Sequence, residues 1–129
     1  MKKVVLSIVF LLISLASSAQ FKFADEAYKA PKGALNLNKI KAGSTAKLKK
    51  GQLAYYTWVG KENEHFGQGT DDLDGNYLKS KETYIYEDEK SGTKYVTFQW
   101  IGKNEGKVKI TIETNNDEKN AKIILVEVK

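Results

Sequence analysis

The sequence has 129 residues, a net charge of +5 and no cysteine. A chain of this length builds one domain around one modest core, and without thiols it is not a disulfide-stapled scaffold. All 21 basic residues are lysine, so the guanidinium fork on which nucleic-acid and phosphate readers rely is missing, which argues against nucleic-acid binding.

In chain order, Lys2 and Lys3 precede an apolar run from Val4 to Leu15, and Ser17, Ser18 and Ala19 supply the small residues that a signal peptidase reads. The run is shorter than the roughly 20 apolar residues that cross a bilayer core. Residues 1–19 are therefore expected to be a secretory signal peptide, and their removal leaves 110 residues beginning at Gln20. That places the protein in the periplasm or outside the cell, with no membrane span after cleavage. Because no cysteine follows the apolar run, no lipid anchor is expected either.

Residues 20–33 form an amino-terminal arm, extended or with one helical turn, closed by Pro31, Lys32 and Gly33. It begins a basic stretch: residues 20–50 hold eight lysines against Asp25 and Glu26. This suits a solvated lysine-rich face that aids solubility and blunts an edge strand. Residues 34–129 read as the folded domain. Ala34–Asn38 alternates as a short strand, Ala46 and Leu48 mark a second, and Gln52–Val59 is a third with bulk on both faces. This leaves room for either Tyr55 or the pair Tyr56 and Trp58 to lie outside as a binding patch, with burial of the rings as the favoured reading.

The pattern breaks between Gly60 and Ser80, where four glycines are interleaved with Glu62, Glu64, Asp71, Asp72 and Asp74, and with His65, Phe66 and Tyr77. Connections are usually about four to six residues, and much longer ones tend to be functional, so this segment is where activity is expected. Asp74-Gly75 reads as a two-residue hairpin turn between Leu73 and Tyr77.

Glu82–Tyr86 is a strand with Tyr84 and Tyr86 on one face and Ile85 on the other, and Glu87–Gly92 turns it back. In Tyr95–Trp100, Val96, Phe98 and Trp100 alternate with Thr97 and Gln99, as in a strand buried on one face. Val108, Ile110 and Ile112 then alternate with two lysines, Thr111 and Glu113. A polar connection over Thr114–Asn120 leads to Ile123–Val126, apolar on both faces, as if covered on two sides. About seven short strands without a helical period predict an antiparallel immunoglobulin-like β-sandwich, with a small β-barrel as the alternative.

The inventory for catalysis is thin. His65 is the only histidine, and Ser44, Ser80 and Ser91, the serines beyond the leader, all have turn-type neighbours. A small hydrolase using His65 is the weaker alternative to a protein without catalytic activity. Asp72, Asp74 and Asn76 place three oxygen side chains at alternate positions, as a calcium loop does. Counted from Asp72, however, Tyr77 and Thr83 stand where an EF-hand has its glycine and glutamate. An Asp-Gly turn with solvated acids is the other reading; no other cofactor is indicated.

Gly51 to Trp58, then Ser91-Gly92-Thr93 leading into Tyr95–Phe98, then Gly106 into Ile110–Ile112, resembles the strand and turn rhythm of chagasin-type cysteine-protease inhibitors and bacterial immunoglobulin-like domains. The family's Asn-Pro-Thr-Thr-Gly loop is missing before Tyr56-Thr57-Trp58. Its Arg-Pro-Trp segment is missing after Ile112, where Glu113-Thr114-Asn115 stands. The resemblance therefore implies the fold and carries no inhibitory residues. The functional expectation is a non-catalytic module that binds an extracytoplasmic protein or glycan through the 60–80 segment, using Trp58, His65, Phe66 and Tyr77. A protease-inhibitor-like sandwich is the alternative.

Overall fold

The computed structural model describes residues 21–41 and 43–129; the expected signal peptide lies outside them. Among the described residues there are nine strands: β1 (Phe21–Phe23), β2 (Leu35–Asn36), β3 (Thr45–Leu48), β4 (Leu53–Lys61), β5 (Phe66–Thr70), β6 (Leu78–Asp88), β7 (Thr93–Gly102), β8 (Gly106–Thr114) and β9 (Lys122–Val128). Two single 3-10 turns, Leu37–Lys39 and Glu118–Asn120, complete the regular structure. Among the described residues no helix is long and apolar enough to cross a membrane.

The strands form two sheets, in the orders β1-β6-β7-β4-β2 and β3-β9-β8-β5. Without β1, these are the strand orders of an immunoglobulin-like sandwich, except that β2 runs parallel to β4 and the chain reverses between β2 and β3. The central pairs are antiparallel, as expected, but both sheets are mixed. β1 lies parallel to β6, β2 to β4 and β3 to β9. All three parallel partners come from the amino-terminal 50 residues, far in sequence from β6 and β9, so the chain has the length that a parallel crossover needs. Within the amino-terminal stretch, Phe21–Phe23 is extended and supplies β1.

The core lies between the sheets. Trp58, Ile85, Val96, Phe98 and Trp100 from one sheet meet Val108, Ile110, Ile112, Ile124, Val126 and Val128 from the other. Leu37, on the first 3-10 turn, is fully buried and plugs one side.

Two burial expectations are corrected. Strand β7 is buried on both faces, Thr97 being 1% and Gln99 6% exposed. Tyr28 crosses over the outer face of the sheet and donates its hydroxyl to Gln99 Oε1 at 2.8 Å, while Gln99 Nε2 donates to Glu82 O. Strand β9 is buried on one face only, with Ile123 50% and Leu125 38% exposed. Among the described residues nothing is laid over the outer face of its sheet.

Candidate functional site

Strand β5 divides the 60–80 segment, so that it is no single loop. Residues 66–70 have weak strand propensity, with two glycines in five, and they become a strand because β8 offers an unpaired edge. The proposed Asp74-Gly75 hairpin does not form, since β5 and β6 belong to different sheets. Gly75, at φ +65°, donates instead to Asp72 O and closes a turn that leaves Leu73 91% exposed.

Asp72 holds this turn. Its Oδ1 accepts from Asn76 N at 2.8 Å, and its Oδ2 accepts from Tyr77 N at 2.9 Å and Leu78 N at 3.0 Å. Burial raises the carboxyl pKa, but the amides of Leu78, Tyr77 and Asn76, with Lys103 nearby, outweigh it and hold the group below its ordinary value. Asn76 O accepts from Asn104 Nδ2, and Asp74 is exposed. Asp72, Asp74 and Asn76 thus build a turn. Among the described residues no group of three or more histidine or carboxylate side chains is placed to hold a metal ion.

The aromatic patch expected around Trp58 does not exist as an exposed surface. Trp58 is 4% exposed and donates its indole Nε1 to Thr114 Oγ1 at 2.8 Å, stitching the two sheets together. Phe66 is half-buried, its ring centroid 5.6 Å from Trp58, 5.8 Å from Phe98 and 6.1 Å from Phe21. Tyr77 is half-buried over Gly106, where a Cβ would run into its ring. His65 is exposed, and the three predicted aromatics pack on the core without it. Among the described residues no serine hydroxyl bonds to His65, and Ser91 Oγ pairs with Thr93 Oγ1, so no nucleophile-base pair forms.

What the fold does bring together is one end of the sandwich. Residues 61–65, at the β4–β5 connection, 88–92, at the β6–β7 connection, and 114–121, at the β8–β9 connection, are tied to one another. Glu62 N donates to Gly92 O at 3.1 Å, His65 N to Asn115 Oδ1 at 2.8 Å, and Asn115 N to His65 O at 2.7 Å. Lys94 anchors the first loop from below, its Nζ donating to Glu62 O at 3.2 Å and Glu64 O at 2.8 Å while lying over the Trp58 and Phe66 rings. Burial lowers its pKa, against the pull of Glu87, Glu62 and Glu64. Glu64 Oε1 in turn accepts from Lys61 N. The three loops carry Glu62, Glu64, Asp88, Glu89, Asp117 and Glu118 against Lys61, Lys90 and Lys119, so this end is acidic.

Asn115, Asn116 and Lys94 escaped the sequence reading. Asn115 and Asn116 have φ of 52° and 58°. An Asn-Asn pair is a recognisable signal for such a left-handed turn, but nothing local shows that it faces His65.

The bulk on both faces of β4 also resolves: Trp58 points in and Tyr55 out. Tyr28, Tyr55 and Tyr84 cluster on the outer face with ring centroids 5.4 Å apart across each Tyr28 pair, and Tyr86 stacks beside Tyr95 at 5.9 Å. Burial, with Tyr55 and Tyr84 alongside, pushes the Tyr28 hydroxyl up to about 12.

Fold and site together define an all-β sandwich of two mixed sheets, immunoglobulin-like in strand order, with an acidic three-loop end. No protein-family model matches the sequence, and no curated protein matches it. Its likeness is to solved structures. Amebosin superposes with a TM-score of 0.55 at 13% identity, covering 78% of this chain and all of that one. The cysteine protease inhibitor EhICP2 from Entamoeba histolytica gives a TM-score of 0.55 at 8% identity, over 87% of this chain and 98% of the other. Domains 4 and 5 of the S-layer protein SbsC give 0.45 at 20% identity, over 70% of this chain and 50% of theirs. The two superpositions at 0.55, at identities this low, show a shared fold and nothing more. The two segments where the sequence resemblance looked for inhibitory loops lie at opposite ends: the Lys49–Gln52 turn sits against Gly102, and Asn115 against His65. They form no common edge.

Proposed function

We propose that the protein is an exported, non-catalytic binding module that holds a protein partner through its acidic three-loop end, residues 61–65, 88–92 and 114–121. The observation that carries this reading is the hydrogen bonding among the loops. Three connections, two hairpins and one crossing between the sheets, are ordered against each other before any partner arrives, which lowers the ordering cost of binding. Six carboxylates against three lysines suit a basic partner surface and would speed its approach. The partner surface then meets polar loops, with Trp58 and Phe66 acting beneath them as support.

Inhibition of an extracytoplasmic cysteine protease is the specific case favoured by the shared architecture with an inhibitor of that class. The test has two arms. Wild-type protein and the variant Glu62→Lys/Glu118→Lys are compared in capture from the native envelope fraction, with melting temperatures measured in parallel. Capture lost at an unchanged melting temperature is expected; equal capture by both would remove the loop end from the proposal. Titration against papain-type proteases addresses the narrower case, which fails if micromolar protein leaves every activity intact.

A further inference from the structure

The free edge of β5 carries a second inference, on a surface that adjoins the loop end and shares Glu118 with it. The ladder between β5 and β8 can be phased from its two ends. Asp71 N donates to Lys109 O at 3.2 Å, and Asn115 N donates to His65 O at 2.7 Å. These pairs extend the register Thr70↔Ile110 and Phe66↔Thr114 by one residue at each end. Bonded and unbonded pairs alternate in an antiparallel ladder. Residues 65, 67, 69 and 71 therefore turn their backbone groups toward β8, and Phe66, Gln68 and Thr70 turn theirs outward. Among the described residues none of these outward groups takes part in a hydrogen bond beyond the ladder.

Natural edges are guarded by charge, proline, bulges or brevity. Here β2 is two residues long, β1 is three residues long and carries Lys22, and β3 carries Lys47 paired with Glu127. Strand β5 has five residues and no charge, proline or bulge. Its outer-facing residues, Gly67 and Gly69, leave open space where a Cβ would stand. Beside them runs a shallow groove of about 560 Å³ bordered by Asp71, Glu113 and Glu118, with Lys109 as its one cation among the described residues.

We propose that β5 is an acceptor edge that takes an extended polypeptide segment of a protein partner as an additional strand, with lysine or arginine at alternate positions lying across Gly67 and Gly69 toward Glu113 and Glu118. Only a polypeptide repeats donors and acceptors at the spacing of Phe66, Gln68 and Thr70. The glycines let long side chains cross the strand, and the acids beyond select their charge.

The probe is an acetylated heptapeptide alternating lysine and valine, titrated into the isotope-labelled protein and followed by amide chemical shifts. Saturable shifts centred on Phe66, Gln68 and Thr70 are expected. A heptapeptide alternating glutamate and valine is expected to bind at least about tenfold more weakly. Gln68→Pro removes the central outward N–H while leaving the β8 ladder intact, and is expected to abolish binding; Glu113→Lys is expected to weaken it about tenfold. Absence of saturable shifts, shifts centred elsewhere, or equal binding of the acidic peptide overturns the proposal. The lysine peptide with every amide N-methylated keeps the charge and loses the donors. Its retention at full affinity overturns the proposal whatever the proline variant does.

Discussion

Replacing Ile110 by alanine tests the packing at its centre. Ile110 is fully buried, is paired with Ile124 on β9 and Thr70 on β5, and faces the apolar side of the opposite sheet. The substitution removes three carbons, about 2.4 kcal/mol at about 0.8 kcal/mol for each buried methylene. A cavity that stays largely open adds up to about 1.8 kcal/mol at about 24 cal/mol per Å³. The expected cost is therefore about 4 kcal/mol, a large share of the roughly 5–15 kcal/mol that stabilises a domain. Strands on both sides of β8 hold the backbone in place and limit collapse of the void. Urea unfolding is the assay, with an unchanged slope and a lowered midpoint. Lys109, one residue earlier, points to solvent and serves as the control; Lys109→Ala should stay within about 0.5 kcal/mol. Equal losses in the two variants, or less than about 1 kcal/mol for Ile110→Ala, would refute the assigned register.

Three further perturbations follow from the geometry. Asp72→Ala strips acceptors from the amides of Asn76, Tyr77 and Leu78 and should cost about 1–3 kcal/mol in urea melts. Since the carboxyl pKa of Asp72 is lowered on folding, its contribution is present above the unfolded value and is lost as pH falls through the folded one; the acid limb of a stability curve should flatten in the same variant. Gly102→Ala would bring a Cβ within 2.6 Å of Lys49 O, a backbone atom that cannot swing aside, and should lower stability by about 1–3 kcal/mol in thermal melts. Tyr28 is raised from 10.0 to about 12 on folding, so its contribution is complete below pH 10 and is lost as pH climbs through 12. Ultraviolet titration of tyrosinate should show this late phase vanish in Tyr28→Phe.

Strand periodicity was legible from the chain alone wherever side chains alternate on a half-buried surface. The alternation of Val108, Ile110 and Ile112 with Lys107, Lys109 and Thr111 places the core face correctly, as does Ile85 between Tyr84 and Tyr86. The turn at Gly92 and the sandwich class follow from the same local physics, in which pleat and left-handed glycine geometry are properties of a few neighbouring residues. Non-local pairing decided the rest. Phe66–Thr70 has little strand propensity and pairs only because β8 presents an edge to it. Thr97 and Gln99 read as solvent-facing and are buried, Gln99 under Tyr28, some 70 residues earlier, and Thr97 against the hydroxyl of Thr57, 40 residues earlier. The apolar Ile123 and Leu125 read as covered, and are half open because no element among the described residues packs outside β9. The three-loop end was invisible for the same reason: Glu62, Gly92, His65 and Asn115 are brought together only when two sheets close, a contact that no local window of sequence contains.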